Sequence, residues 1–172
     1  MTEEPALGVE FESEDFFSRE HEESLPLRIR RLVNSQPFAV LCTHGNQHPY
    51  GSVVAFSMTE DLAVAVFATP VTTRKFQLLS QSDRVALLID NRCQHLDNMM
   101  HVEAVTATGK AIRVEEGKDH EYWMRLLTTR HEYLSGFVQS PTVALFCIEI
   151  ARYFHVVRFQ EVRQWTPKNK PG

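Results

Sequence analysis

Cysteine is scarce: Cys42, Cys93 and Cys147 are the three in 172 residues, far apart and without a CxxC pair. Such spacing argues against a disulfide framework or a zinc site built on paired thiolates, and a reducing cytoplasm is the expected compartment. Glycine is sparse too. The seven present form neither GxGxxG nor GxxxxGK[ST], so a doubly wound dinucleotide fold and a P-loop are unsupported. HExxH and GxSxG are also missing, which removes the helix-borne zinc protease and the nucleophile elbow. No run of about 18 apolar residues occurs, so no membrane span is expected. The opening MTEEPALGVEFESEDFF lacks the basic start and apolar stretch of a secretory leader.

What is present is a globular composition, 43% hydrophobic and 23% charged, in a chain long enough for one domain with a real core. The net charge of −4 is unevenly spread. Residues 1–24 hold nine acids and one arginine, while the rest carries thirteen acids against seventeen lysines and arginines. An acidic arm thus precedes a mildly basic body. That balance suits a small anionic ligand, whereas nucleic acid would require a denser basic stripe. The arm reads as a solvated tail, or as a segment docked through Phe11, Phe16 and Phe17 against the body or a second subunit.

Leu25, Ile29, Leu32 and Val33 share one face of LPLRIRRLVNS, which predicts a short amphipathic helix with Pro26 in its first turn. FAVLCT (38–43), YGSVVAFSM (50–58) and LAVAVFAT (62–69) read as three strands joined by the turns HGNQHP and TED, an antiparallel meander. A short helix is expected over about 72–80, then strand RVALLID (84–90) and a loop over 91–99. HVEAVTATGKAIRVE (101–115) reads as a long strand with Gly109 at a bulge or bend. A helix is expected over 115–131, then two strands, 142–150 and 152–165. Strands without regular helical crossovers predict a mainly β fold, an antiparallel barrel with peripheral helices.

The chemistry concentrates in ATPVTTRKFQLL (68–79). Arg74 and Lys75 fall in the first helical turn, where the partial charge of the backbone is already positive. Two readings stand: solvated surface charges, or a phosphate cradle formed with the hydroxyls of Thr69, Thr72 and Thr73 and free helix N–H groups. Histidines are less informative. His44 and His48 flank Gly45 and Asn46 in a turn, so no metal site is expected there. His95 and His101 bracket a methionine pair in HLDNMMH, which fits a metal or heme role or simply a loop entering a strand. His101 and His155 are proton-relay candidates or ordinary surface and core residues.

The order of these parts resembles the pyridoxamine 5'-phosphate oxidase-like, FMN-binding split-barrel superfamily. YGSVVAF, the strand ending in FAT, TTRKFQLL, SDRVALLID, ATGKAIRV and the closing YFHVVRFQEVRQW carry the likeness across roughly 25–165. The resemblance implies a six-stranded antiparallel Greek-key split barrel at 25–165, between the arm (1–24) and a tail (166–172). It further implies a homodimer with FMN in each of two clefts between subunits. Arg74 and Lys75 would then clamp the phosphate, with Thr73 and Thr69 donating hydroxyl hydrogen bonds. Val53, Val54 and Ala55 would run beside the isoalloxazine. Asn91 and Arg92 would contact cofactor or partner, or form a plain polar turn. Trp165 would cover the partner's flavin or plug the barrel.

The closing ARYFHVVRFQEVRQWTPKNKPG shows no Arg-x-His substrate-phosphate motif, and HVEAVTATG replaces the oxidase's glutamine-bearing stretch. Vitamin B6 oxidation is therefore not expected. A flavin-dependent reductase acting on a small molecule, with a nicotinamide donor, is the leading expectation. A non-enzymatic flavin-binding or redox-sensing protein and a heme-handling member of the same fold are the alternatives. No catalytic residue is assigned, and neither nucleic acid nor membrane is an expected partner.

Overall fold

The computed structural model describes residues 23–45, 48–158 and 161–168. The arm and its phenylalanines lie outside them. The β-branched and aromatic runs become strands β1 (Phe38–Gly45), β2 (His48–Met58), β3 (Val64–Pro70), β4 (Arg84–Asp90), β5 (Ala104–Arg113), β6 (Val143–Val157) and β7 (Glu161–Trp165). All pairings are antiparallel, in the order β3-β2-β1-β4-β5-β6-β7, and an additional β3–β6 ladder closes the first six strands into a barrel. The jump from β3 to β4 beside β1 is the Greek-key return.

Helices α1 (Leu25–Ser35), α2 (Arg74–Leu79), α3 (Lys118–Arg130) and α4 (Ser135–Val138) are peripheral. No described helix is long and apolar enough to cross a membrane. Alternation along each strand sends Leu41, Phe56, Phe67, Leu87, Ile89 and Ile148 into the barrel, where they are fully buried. Each such side chain contributes roughly 1.5–3 kcal/mol of transfer free energy. Ile29, Leu32 and Val33 of α1 join this core. Arg130 of α3 donates through one guanidinium nitrogen to the carbonyls of Val33, Asn34 and Gln36, at 2.7–3.1 Å. It thereby satisfies carbonyls at the end of α1 and sits favourably on that helix's negative pole. A second apolar cluster lies outside the barrel, where α3 and α4 cover Val66, Leu145 and Cys147.

Two expectations are corrected. The chain does not break between 150 and 152: β6 is continuous from Val143 to Val157, and β7 pairs back on it as a seventh strand. What resembled a break is a bulge, because Thr108 faces Arg152 while Gly109 faces Ile150, leaving Ala151 extra. Gly109 fits there because a Cβ would stand 2.2 Å from the Glu149 carbonyl oxygen. The second correction concerns the residues before β5. The strand starts at Ala104 rather than 101, since Met99–His101 form a 3₁₀ turn.

Candidate functional site

β2 and β3 stay paired only over Phe56–Met58 and Ala65–Phe67. Beyond that point β2 remains on β1, from Ala55↔Phe38 to His48↔Gly45, while β3 follows β6 through Thr69↔Ala144 and Pro70↔Val143. The two strands therefore part. The β2 edge over residues 48–55 has β1 on one side and no described strand on the other. Val53 on this stretch is 67% exposed, Ala55 is half-buried and Val54 faces the core.

The turn from Pro70 into α2 lies at this parting. Pro70 ends the ladder, and its carbonyl accepts from the N–H of Thr73. Thr73 is the N-cap, accepting from the N–H of Phe76 at 3.3 Å and donating its hydroxyl to the Pro70 carbonyl at 2.9 Å. Thr69, 1% exposed, lies 2.9 Å from the Thr73 hydroxyl and is its donor, since the Thr73 proton is already engaged. The two threonines thus brace the turn from within. Within the chain, this arrangement uses both hydroxyls in the turn itself.

Arg74 and Lys75 follow the cap. Arg74 is exposed, and its guanidinium stands 5.3 Å from the centroid of Tyr50 at the start of the free β2 edge, within cation–π range. Lys75 is half-buried and has no ion-pair or hydrogen-bond partner among the described residues. Burial pushes its ammonium pKa below 10.5. A partly desolvated cation without a carboxylate, beside an exposed arginine and an open strand edge, suits an anionic group attached to a flat body.

The other predicted residues fall elsewhere. The register puts Tyr50 opposite Thr43, whereas Asp90 ends β4 beyond the Leu88↔Val40 pair. Asn91 and Arg92 therefore sit about 15–20 Å along the strands from Arg74. Asn91 closes its own loop, its side-chain oxygen accepting from the N–H of Glu103 at 2.7 Å, and Arg92 pairs with Asp90 at 2.9 Å. Trp165 stacks on Tyr153 of its own barrel, with ring centroids 5.5 Å apart, and packs against the core. The plug reading, rather than the cover over a partner's flavin, describes its contacts within this chain.

One feature was invisible to linear reading. Across the outer face of the barrel, Val53, Val40, Leu88, Thr106 and Phe154 stand side by side on successive strands. Val53 is exposed and the other four are half-buried, and α3 and α4 pack over β3 and the first half of β6 instead. The continuous apolar runs of β1 and β4 already hinted at two buried faces. Only the register reveals that the outer row is continuous. A separate cleft of about 430 Å³ lies between β5, β6 and the start of α3, lined by Trp123, Cys147 and Ile112 among others. Arg113 in its lining stands with its guanidinium 5.7 Å from the ring of Phe76 in α2, and burial pushes its Cys147 thiol up to about 12.

Against known families, the one described as pyridoxamine 5'-phosphate oxidase matches residues 25–157. No match was found among curated proteins. Among solved structures, the heme binding protein of Mycobacterium smegmatis superposes with a TM-score of 0.76 at 16% identity, over 86% of this chain and 60% of its own. The chain thus spans less than two thirds of that relative. A Clostridium acetobutylicum protein related to general stress protein 26 has a TM-score of 0.65 at 14% identity, over 81% of this chain and 92% of its own. An FAD-binding protein of Mesorhizobium loti has a TM-score of 0.59 at 13% identity, over 74% and 88%. At these identities the likeness is one of fold.

Proposed function

The chain belongs to the pyridoxamine 5'-phosphate oxidase family, and from that membership and the cation pair at the strand parting we propose an FMN-binding flavoprotein, a homodimer acting as a flavin-dependent oxidoreductase. The carrying observation is Lys75, half-buried and without a described partner beside exposed Arg74. A phosphate monoester supplies close to two negative charges and three acceptor oxygens, which relieves the cost of holding both cations at a helix start. Arg74 and Lys75 hold the phosphate, and the free edge of β2 at Val53–Ala55 receives the flat ring. The threonine pair keeps the turn in shape.

When bound, the flavin supplies hydride and electron chemistry, and the protein supplies orientation and electrostatic setting. The absence of the Arg-x-His motif supports a substrate other than a B6 phosphate. The row from Val53 to Phe154 supports the dimer, since a second copy would cover a sheet face that the described residues leave partly open.

The cofactor released on denaturing the purified protein tests the first step, and FMN is expected. Replacing Arg74 and Lys75 together by Ala should weaken FMN about ten- to a hundredfold, as lost charge-assisted bonds do, and leave riboflavin almost unchanged. Equal losses for both ligands would sink the phosphate clamp. Anaerobic bleaching of bound flavin by NADH or NADPH tests the reductase role. A protein that takes up hemin with a Soret band and retains no flavin would instead share the ligand named for the Mycobacterium smegmatis relative.

A further inference from the structure

The loop between β4 and β5 packs an unusual set of donors into nine residues: Cys93, His95, Met99, Met100 and His101. None is used by the flavin reading, and this inference does not depend on it. The loop is held at its base by a reciprocal pair, the Asn91 N–H to the Glu103 carbonyl at 3.2 Å and the Glu103 N–H to the Asn91 side chain at 2.7 Å. Inside it, the His95 N–H bonds the Arg92 carbonyl and the His101 N–H bonds the Asn98 carbonyl, both at 3.1 Å. These bonds bring two imidazoles six positions apart into contact, with centroids 5.8 Å apart and ring planes at 70°.

That separation has a chemical reading. Two imidazoles sharing one ion, each with a metal–nitrogen bond of about 2.0 Å, carry their centroids roughly 5–6.5 Å apart. No group of three or more His, Cys, Asp or Glu suited to a metal exists among the described residues. A four-coordinate zinc site is therefore incomplete here. The further donors in the loop are thioethers, soft ligands that select copper(I), a closed-shell ion satisfied by two or three ligands. Met99 is 63% exposed and Met100 half-buried, and both precede His101 in the same 3₁₀ turn. The geometry points to His95 and His101 as a surface site for one copper(I) ion, with a methionine thioether completing it.

The test is anaerobic titration of copper(I) into the full chain against a chromogenic chelator, with zinc(II) run in parallel. About one copper(I) per chain is expected, with zinc(II) held much more weakly. His95→Ala and His101→Ala should each lower copper(I) affinity at least about tenfold, on the scale of losses seen when a metal site is disturbed. The double change Met99→Leu with Met100→Leu should narrow the preference for copper(I) over zinc(II), and Cys93→Ser should leave binding in place. Silver(I), a spectroscopically silent stand-in, should shift the His95 and His101 imidazole resonances together, a readout on the unmutated chain. Unchanged affinity in both histidine variants, binding abolished by Cys93→Ser alone, or unmoved imidazole resonances would each overturn the site.

Discussion

At Gly109 a hydrogen in place of a methyl group decides whether two strands can meet. The bulge brings the Glu149 carbonyl oxygen to 2.2 Å from where a Cβ would lie, and that oxygen belongs to backbone. Gly109→Ala should therefore cost about 3 kcal/mol, as overpacking does, and lower the urea midpoint with little change in slope. Its bend was legible in the sequence, because a lone glycine in a long strand run marks such a place. Glu103 was not. Its carboxylate meets the His155 Nε2 at 2.6 Å and lies 3.5 Å from Arg28 and 3.7 Å from Arg31. Burial pushes its pKa up, but the His155 hydrogen bond and attraction, with the charges of Arg28 and Arg31, outweigh that and hold it below 4.5. A lowered carboxylate pKa contributes stability above its ordinary value and loses it as pH falls through the folded value. Denaturant midpoints followed from about pH 6 to about pH 3 should thus fall less steeply for Glu103→Gln than for the parent. The partners come from α1 and β6, converging on a residue just before β5, which local spacing does not encode.

Elements were more legible than their ends. β-branched and aromatic runs announced β1 to β4 because both the inner and outer faces of those strands are apolar. β6 was misread because Glu149, Ala151 and Arg152 are exposed around the bulge, with only Ile150 buried among them, which imitates a turn. A single strand changes what Tyr153 does. From the second half of β6 its hydroxyl donates to the Leu62 carbonyl at 2.6 Å, in the turn before β3. Leu62 has a φ of 61°, a left-handed conformation unfavourable for a branched apolar residue, while its side chain is 2% exposed. The tyrosine holds that turn in place. Tyr153→Phe should cost about 1–3 kcal/mol, the penalty of a buried carbonyl left without a donor. Urea unfolding measures it, and faster amide exchange at Ala63 and Val64 would locate it in the turn.

For the whole molecule, the barrel class and the cation pair were legible, since both rest on local pattern: period-two strands and charges misplaced at a helix start. The parting of β2 from β3 and the outer row from Val53 to Phe154 were not, because each depends on register between strands distant in sequence. The row makes a prediction at this scale. Leu88→Arg, at its centre, places a charge on the face proposed to meet a second copy, and desolvating that charge is costly. Analytical ultracentrifugation should find the parent dimeric and the variant monomeric, and a monomeric parent would remove the dimer from the proposal. The closing ladder carries a consequence of another kind. β3 and the first half of β6 are roughly 80 residues apart in sequence, so closure awaits the synthesis of β6. Until β6 is made, any sheet built from the first five strands lacks its closing partner and keeps the edges of β3 and β5 free. Such edges invite pairing with other chains, so the nascent protein is most vulnerable to misassembly just before β6 emerges.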